Sequence, residues 1–376
     1  MNGELTEQVF AETIAVNGGR VYRVGGCVRD MVMGVMPKDV DLCVVGMVKK
    51  NFKTLFPDAE EYGKSFPVFR LRLDGIKCEV AFARTERKVG SGYKGFKVSS
   101  KPKVTIEEDL YRRDLTVNSI AIDSLTGKII DPFNGIQDIN DKILRATSPH
   151  FSDDPIRALR LAGQSARLGF GIDSDTLIRA GAVGEELVKE PVERIVAELA
   201  KVLTEARDPA QFFKVMAQTN LLQITFEEIS ELSKEVFEIG MAKLNLVAKA
   251  TQEPKLRFAA LGLVLDKERL HRWNKRMTLP SDWLDSAVEV GKIKALLEAI
   301  DAEKIVAAIN SLRRGSLNVE EFDVITTAAG LNIPALTPFK AAMALLPGDG
   351  VPERLTGKAL GEWLKLKHID LVSKLI

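Results

Sequence analysis

Two aspartates inside an apolar run constrain this chain more than any other feature. The segment PKDVDLCVV (37–45) places Asp39 and Asp41 among strand-forming residues. Side chains two residues apart in a strand point to the same face, so both carboxylates project from one side. Two neighbouring carboxylates raise each other's pKa unless a cation neutralises them. The segment therefore predicts a strand whose acidic face requires a positively charged partner.

A glycine-rich turn that could bind an anion lies upstream of the two aspartates. The segment VGGCVRDMVMG (24–34) has two glycines, including Gly26, followed by helix-compatible residues. Such a turn lets the backbone approach a ligand, and the N–H groups at a helix start suit an anion. Arg29 suits a bidentate phosphate contact, although Asp30 is an alternative partner for it. Because Mg²⁺ is held by a few carboxylates plus substrate phosphates, the two segments together predict a metal–nucleotide site.

Composition and the N-terminal sequence indicate the cellular environment of the protein but not its function. The 376 residues are 45% hydrophobic and 28% charged with a net charge of +1, which excludes neither an enzyme nor a nucleic-acid binder. The three cysteines fit no disulfide framework or metal spacing and are expected to be reduced, mostly buried thiols. The N-terminus is acidic and lacks the apolar core of a signal peptide. We expect a cytoplasmic protein with no membrane partner.

The pattern of the sequence changes near Pro149. Before it, short strand-like runs alternate with turns, including RVYRVGG (20–26) and a hairpin over 67–84 that turns at Asp74 and Gly75. After it, SDDPIRALRLAGQSARLGF (152–170) predicts a helix with an N-cap, an acidic first turn and an early proline. The remainder to Ile376 is overwhelmingly helical in pattern. We therefore predict an α+β fold with a mixed α/β head and an all-helical remainder.

The motif GGxVRDxxxG…PKDxDL resembles the signature of the DNA polymerase β-type nucleotidyltransferases, in their class II tRNA nucleotidyltransferase/poly(A) polymerase branch. Four later segments resemble further motifs of that family in the same order: DLYRRDLTVNSIAID (109–123), IIDPFNGIQDINDKILR (129–145), DDPIRALR (153–160) and ERIVAEL (193–199). The segment EVAFARTERKVGSGYKGF (79–96) is similar to the matching stretch of bacterial CCA-adding enzymes.

The resemblance implies a domain organisation and an activity. It implies a polymerase β-like nucleotidyltransferase head with a mixed sheet over 1–145, a helical neck over 146–206 that reads the nucleotide base, and a helical body and tail over 207–376 that bind tRNA. The implied reaction adds the 3′-terminal CCA of tRNA without a template, from CTP and ATP with Mg²⁺. Diphosphate is the second product.

Residue roles follow from the chemistry together with the resemblance. Asp39 and Asp41 are predicted Mg²⁺ ligands, and Glu79 is predicted to be a third catalytic carboxylate that helps to activate the acceptor 3′-hydroxyl, unless it is an ordinary strand-edge charge. The remaining candidates are predicted nucleotide contacts: Gly26 and Arg29 for the triphosphate, Arg113 for phosphate and Asp114 for the ribose hydroxyls.

The later pair Asp154 and Arg157 is predicted to select the base. A carboxylate accepts from an exocyclic amine, and a guanidinium donates to a ring nitrogen or carbonyl. Cytosine and adenine both offer an amine beside a ring-nitrogen acceptor, so one Asp–Arg pair accepts them and rejects guanine and uracil. The alternative is a helix cap with an ion pair between residues three apart. Arg160, one turn further, is predicted to extend the basic face towards phosphate.

The chain departs from the family pattern at two positions of this region. Asp153 stands where the family usually has Glu, and Gly163 stands where it usually has another arginine. The glycine removes a possible nucleotide or RNA contact and weakens the helix by about 1 kcal/mol relative to alanine. The segment 84–103, rich in Lys, Arg, Gly and Ser, is expected to be either a solvated loop or a mobile element that helps the switch from C to A addition.

The helical half leaves alternatives open. Leu263 and Val264 occupy the place where some bacterial relatives carry the His-Asp pair of a phosphohydrolase domain, so we expect no phosphohydrolase site. Several Lys/Arg clusters there suit tRNA phosphates or are solvated helix faces. An A-adding or CC-adding enzyme, a poly(A) polymerase and a catalytically silent RNA-binding protein are the alternative functions. The oligomeric state is open between monomer and homodimer.

Overall fold

A computed structural model describes residues 5–63, 67–90, 95–345 and 355–376. The chain divides into two compact units, one formed by residues 1–165 and 169–190 and the other by residues 166–168 and 191–376. Within the described ranges, no helix has the length and apolar character that crossing a membrane requires.

The first unit is built around a mixed sheet. Its strands are β1 (Arg20–Val24), β2 (Val40–Val45), β3 (Glu60–Tyr62), β4 (Val68–Leu73), β5 (Ile76–Phe82), β6 (Thr85–Lys88), β7 (Phe96–Ser99), β8 (Ala121–Asp123), β9 (Ile129–Ile130), β10 (Ile143–Leu144) and β11 (Gly171–Ile172). The main sheet has the order β3-β4-β5-β2-β1-β8-β9. Strands β2 and β5 are parallel and the other pairs of this sheet are antiparallel. The predicted mixed sheet is thus confirmed.

Short helices flank this sheet or follow it. They are α1 (Glu7–Val16), α2 (Gly26–Val32), α3 (Lys49–Leu55), α4 (Ile106–Tyr111), α5 (Gly135–Asp141), α6 (Ile156–Leu168), α7 (Ser174–Gly181) and α8 (Gly184–Leu187), with 3-10 turns at Thr116–Asn118 and Pro149–Asp153. The hairpin between β4 and β5 turns where the sequence predicts it. Asp74 and Gly75 both have positive φ, 50° and 74°, as a two-residue type I′ turn requires.

The sheet divides the first unit into two cores. One face carries an apolar cluster that includes Phe52, Phe69 and Phe82, and the inward residues Leu42 and Val44 of β2 are fully buried in it. The three cysteines are free and buried, as predicted. Packing on this face holds β2 firmly. On the opposite face Cys43 is buried in the second cluster, and Asp41 lies on that face at the exposed start of the strand.

Two sequence predictions in this unit are wrong in detail. The helix predicted over 152–170 begins only at Ile156, because a proline disfavours helical backbone in the residue before it. Asp154, which precedes Pro155, is extended, with φ −111° and ψ 108°. The segment 84–103 is also not a plain loop, since β6 and β7 pair as an antiparallel hairpin. The alternative, a mobile element, stays a prediction. Residues 91–94 of that segment lie outside the described residues.

The second unit is helical. Its helices are α9 (Val192–Glu205), α10 (Pro209–Gln218), α11 (Leu222–Thr225), α12 (Glu227–Ser230), α13 (Lys234–Ala250), α14 (Pro254–Ala259), α15 (Lys267–Met277), α16 (Ser281–Leu296), α17 (Ala302–Arg314), α18 (Val319–Ala328), α19 (Leu336–Leu345) and α20 (Gly357–Ser373), with a 3-10 turn at Ala260–Leu263. Buried aromatic side chains, among them Phe226, Phe258 and Trp273, pack together in its core. The predicted change from mixed to helical structure is confirmed, with the two-residue β11 as a small exception.

Candidate active site

The predicted catalytic carboxylates lie on two adjacent parallel strands. Asp41 of β2 is the direct cross-strand neighbour of Glu79 of β5, and Asp39 immediately precedes β2. Asp39 and Asp41 are exposed, and the Glu79 side chain is 45% exposed. The structure therefore brings Asp41 and Glu79 together on one sheet face, with Asp39 close to Asp41 just before the strand.

Asp41 has an electrostatic environment that favours a bound cation. Although the residue is exposed at the surface, nearby protein atoms desolvate its carboxylate and raise its pKa. Arg113 lowers the pKa, while Glu79 and Asp39 raise it, and the net shift is upward. The acids are thus close enough to repel one another. A divalent cation would relieve that repulsion.

The glycine turn lies directly beside this carboxylate. Gly25 has φ +79°, which favours glycine, and it precedes α2, where Gly26 is the first residue. A Cβ added at Gly25 would lie 3.1 Å from Nη1 of Arg113 and 3.7 Å from Oδ2 of Asp41. The turn, the arginine and the metal-ligand candidate therefore form one compact cluster. Gly25 was not singled out in the sequence, although the Gly-Gly pair was its signal.

Asp109 organises the arginines of this cluster and was missed in the sequence. It is 1% exposed, and its two carboxylate oxygens accept hydrogen bonds from Arg112 at 2.7 Å and from Arg113 at 3.0 Å. The Oδ1 atom also accepts the backbone N–H of Arg84 at 3.1 Å. Burial raises the pKa of Asp109, but Arg113 and Arg112 lower it further than burial raises it. Spacings of three and four residues from Asp109, on helix α4, to the two arginines just after that helix were the available signal.

Asp114 lies in a second buried cluster. Its carboxylate accepts from the backbone N–H of Leu115 at 2.9 Å and from Nδ2 of Asn118 at 3.3 Å, and it forms an ion pair with Arg160 at 2.7 Å. Burial raises its pKa, but Arg160 and Arg157 outweigh burial and lower the pKa to about 2. Asp114 is therefore held as a carboxylate. Arg160, predicted to extend the basic face towards phosphate, contacts this carboxylate, and its side chain is 45% exposed.

The Arg29 guanidinium lies against the glycine turn and is buried there. A Cβ added at Gly26 would lie 3.4 Å from its Nη2 atom. Its side chain is 2% exposed, and it donates to Asp30 at 2.6 Å and to Oδ1 of Asn118 at 2.8 Å. A longer contact of 3.4 Å reaches Gln164. In this conformation Arg29 links α2 to the loop of Asn118 and α6, and it has no exposed fork for a triphosphate. The physical reason is that Asp30, its neighbour in sequence, provides a nearby carboxylate.

Asp154 and Arg157 are fixed by separate backbone contacts. Oδ1 of Asp154 accepts the N–H of Ile156 at 3.2 Å, just before helix α6 begins. Arg157 is 8% exposed and donates from Nη1 to the carbonyl of His150 at 2.9 Å and from Nη2 to the carbonyl of Arg112 at 2.7 Å. The two residues therefore do not share one helix face as predicted, because Asp154 precedes the helix.

The donor set matches a magnesium ion only if a substrate contributes ligands. Within residues 5–63, 67–90, 95–345 and 355–376, no three His, Cys, Asp or Glu side chains are grouped closely enough to hold a metal by themselves. Asp39 and Asp41 nevertheless offer hard carboxylate oxygens on an accessible edge. Mg²⁺ is typically bound by one or two carboxylates together with substrate phosphates and water, which is compatible with this pair.

Two protein families match the chain. The family described as the Poly A polymerase head domain matches residues 21–145, which contain all three carboxylates. The family described as the probable RNA and SrmB-binding site of polymerase A matches residues 169–232.

Solved structures of CCA-adding enzymes share the fold. A complex with ATP superposes with a TM-score of 0.73 at 23% identity, covering 97% of this chain and 90% of that chain. A complex with CTP gives 0.74 at 21% identity, with coverages of 97% and 89%. The Thermotoga maritima enzyme complexed with tRNA gives 0.70 at 22% identity, with coverages of 98% and 90%.

Curated relatives carry the same family name. The CCA-adding enzyme of Coxiella burnetii is 38% identical over 291 residues, which cover 75% of this chain and 73% of that protein. The multifunctional CCA protein of Thioalkalivibrio sulfidiphilus is 32% identical and covers 95% of this chain and 98% of its own length. Together with the carboxylate pair on β2 and β5, these similarities show that the chain belongs to the family of CCA-adding enzymes, the tRNA nucleotidyltransferases.

Proposed function

We propose that this protein adds or repairs the 3′-terminal CCA of tRNA, using CTP and ATP with Mg²⁺ in the cytoplasm and releasing diphosphate. The observation that carries the proposal is the cross-strand pairing of Asp41 with Glu79 beside the Gly25 turn and Arg113. This arrangement offers metal ligands, a further carboxylate and a cation within one cluster. Solved structures of CCA-adding enzymes with ATP, CTP and tRNA support the choice of substrates.

Asp39 and Asp41 would hold the metal. When bound, Mg²⁺ would neutralise negative charge on the triphosphate and stabilise the attacking and leaving oxygens. Glu79, on the adjacent strand, is placed to accept a hydrogen bond from the acceptor 3′-hydroxyl and orient it. The apolar residues on the other face of β2 keep both strands in register, which keeps the three carboxylates in position.

The nucleotide is proposed to lie against the Gly25–Gly26 turn. There the backbone of Gly26 approaches the triphosphate closely, and the Arg113 guanidinium, braced by Asp109, donates to its phosphates. Asp114 is kept ionised by Arg160 and accepts from ribose hydroxyls in this proposal. Arg29 acts in this proposal as a positioning residue, since it holds the Asn118 loop in place.

Base selection is assigned to Asp154 and Arg157. The two carbonyl contacts of Arg157 use two of its five N–H donors, so they fix the plane of the guanidinium and leave donors for a base. Asp154 accepts from the exocyclic amine that cytosine and adenine share. The pair thereby rejects guanine and uracil, which lack this combination.

The test is an incorporation assay with defined acceptors. The protein is incubated with Mg²⁺ and each labelled nucleoside triphosphate, on tRNA transcripts that end in the discriminator base, in C or in CC. Sequential addition of C, C and A is expected, with GTP and UTP rejected. Addition of only CC or only A would identify a partial enzyme. Long A tails would identify a poly(A) polymerase. No incorporation would support the alternative of a catalytically silent RNA-binding protein.

The base-selection assignment has its own test. Asp154→Ala is expected to lose discrimination between CTP and UTP, because the acceptor for the exocyclic amine is gone. Asp153→Asn is the matched control, since that neighbour contacts His150 at 2.8 Å and is given no base contact. Equal loss of discrimination in both variants would contradict the assignment.

A further inference from the structure

A single basic residue continues the row of acids across the sheet. Arg70 of β4 is the direct cross-strand neighbour of Glu79, which is itself the neighbour of Asp41. Directly paired residues on adjacent strands point to the same face, so the row runs Asp41, Glu79, Arg70. Glu60 of β3 continues it on the far side. Arg70 is therefore the one cation among these four paired residues. It lies two strand spacings, ~10 Å, from Asp41.

Arg70 is supported by an aromatic ring and held only weakly by its acidic neighbour. Its guanidinium lies 4.7 Å from the centroid of the Tyr62 ring, a cation–π distance. Its Nη2 atom is 3.5 Å from Oε1 of Glu79, at the outer limit of a hydrogen bond. The side chains of Arg70 and Glu79 are 37% and 45% exposed. The charged end of Arg70 is thus fixed in place and accessible from solvent.

One buried donor at this point, Nε of Arg70, lacks a partner among the described residues. The Tyr62 hydroxyl lies close to the Glu79 carboxylate, and burial together with this carboxylate raises the pKa of Tyr62 to about 12. A buried donor without an acceptor is costly, so the Nε group requires an explanation. This donor and the exposed guanidinium together suit an anion that supplies acceptor oxygens. A phosphodiester is an anion of this kind that the acceptor RNA carries.

We propose that Arg70, braced by Tyr62, binds the phosphodiester that links the last two nucleotides of the acceptor strand. This inference rests on the proposed function, in which the acceptor 3′-hydroxyl lies at Asp41 and Glu79. The phosphate of the terminal nucleotide then lies one nucleotide away along the row, on the side of Arg70. Binding draws the guanidinium from Glu79 to the phosphate and leaves the Glu79 carboxylate for the hydroxyl.

The main test combines a protein variant with a neutral RNA linkage. Equilibrium binding is measured without nucleotide, on a tRNA transcript that lacks CCA and on the same transcript with a methylphosphonate at its last linkage. Either Arg70→Gln or the neutral linkage is expected to weaken binding about tenfold. Both changes together are expected to weaken binding little further, because they remove the same contact. Losses that simply multiply would overturn the proposal.

The salt dependence gives a second, independent measurement. Arg70→Gln is expected to reduce the slope of log Kd against log salt by about 0.7, the value for one phosphate contact on a single strand. Arg70→Lys keeps the charge and is expected to keep the slope, with only a loss of about threefold in affinity. An unchanged slope in Arg70→Gln would contradict a phosphate contact.

Matched controls separate this contact from other effects. Arg72 lies two residues along the same strand, on the same face, and donates to the carbonyl of Gly75 at 3.0 Å. Arg72→Gln is expected to leave the RNA affinity and the salt slope unchanged. An effect equal to that of Arg70→Gln would mean that any cation on β4 contributes to RNA binding in the same way. If Arg70 only positioned Glu79, Arg70→Gln would lower kcat without changing Kd. Because these are binding measurements, they test Arg70 even if the wild-type protein adds no nucleotide.

Discussion

Two charged clusters in the first unit are built in opposite ways. The carboxylate row of Asp41, Glu79 and Arg70 is accessible and loosely paired, with its one ion-pair contact at 3.5 Å. In the arginine network, the carboxylates of Asp109 and Asp114 are buried and tightly paired, with contacts of 2.7 to 3.0 Å. A buried pair that loses one partner leaves an uncompensated charge, whereas an exposed group is hydrated. The row is thus open to ligands, whereas the network fixes its side chains in place, including Arg113 and Asp114, which are proposed to contact the nucleotide.

The largest expected effect is a loss of nucleotide addition in the carboxylate row, with little change in the free energy of unfolding. Asp41→Asn removes a metal ligand, so nucleotide addition is expected to fall by roughly a thousandfold or more. The free energy of unfolding should stay the same or rise slightly, because the change relieves repulsion with Glu79 and Asp39. Labelled CTP incorporation and urea unfolding measure the two quantities.

Asp58→Asn is the matched control for this change. Asp58 is an exposed acid in the turn after α3. Its substitution is expected to leave both activity and stability at the wild-type level. Near-normal addition by Asp41→Asn would contradict the metal assignment.

In the arginine network around Asp109, the expected effect is a loss of stability. Asp109→Asn leaves Arg112 and Arg113 without their shared carboxylate, so the free energy of unfolding is expected to fall by about 3 kcal/mol. Urea unfolding followed by circular dichroism measures this loss. A stable Asp109→Asn protein that has lost only activity would mean that Asp109 belongs with the ligand-binding row.

A smaller effect depends on pH. Because the folded pKa of Asp114 is lowered to about 2, its ionised form stabilises the folded state at pH values above its unfolded pKa. The contribution is about 2 kcal/mol, and it is lost as the pH falls from about 4 towards 2. Unfolding curves of the wild type and of Asp114→Asn should therefore differ at pH 7 and converge near pH 2. A constant difference across this range would exclude the ion pair with Arg160 as the cause.

The smallest effect concerns the helix that carries Asp109. Thr105 caps α4 by accepting the N–H of Glu108 at 3.2 Å, and Glu108 accepts the N–H of Thr105 at 2.9 Å. Thr105→Ala is expected to lower the free energy of unfolding by about 1 kcal/mol, with nucleotide addition unchanged at 25 °C. A loss as large as that of Asp109→Asn would show that the cap, rather than the buried network, holds this helix.

Local rules made some of this structure predictable. The alternation of apolar residues around Asp41 predicts a strand with an acidic face, and the Asp74–Gly75 pair predicts the turn of the following hairpin. The extended conformation of Asp154 was also predictable, because Pro155 follows it. Such features depend on backbone sterics within a few residues, so the sequence carries them directly.

Long-range pairing was less accessible from the sequence. That Glu79 is the direct neighbour of Asp41 depends on β5 joining β2 in parallel, which no local pattern specifies. The burial of Arg29 against Asn118, 89 residues away in sequence, and the carbonyl contacts of Arg157 depend on packing between distant segments. The direct phosphate contact of Arg29 therefore stays a prediction, while its partners Asp30 and Asn118 are visible only in the folded protein.

The sequence by itself determined the chemistry that is available and the family to which the chain belongs. The order of the Gly-Gly turn, the paired aspartates and the RRD and DDPIR segments was sufficient, because each motif is local and their order is a property of the chain. Only the tertiary structure decided which charges are exposed and which are held. The same residue type, arginine, is buried as Arg29 and accessible as Arg70, and the difference lies in what the fold packs around each side chain.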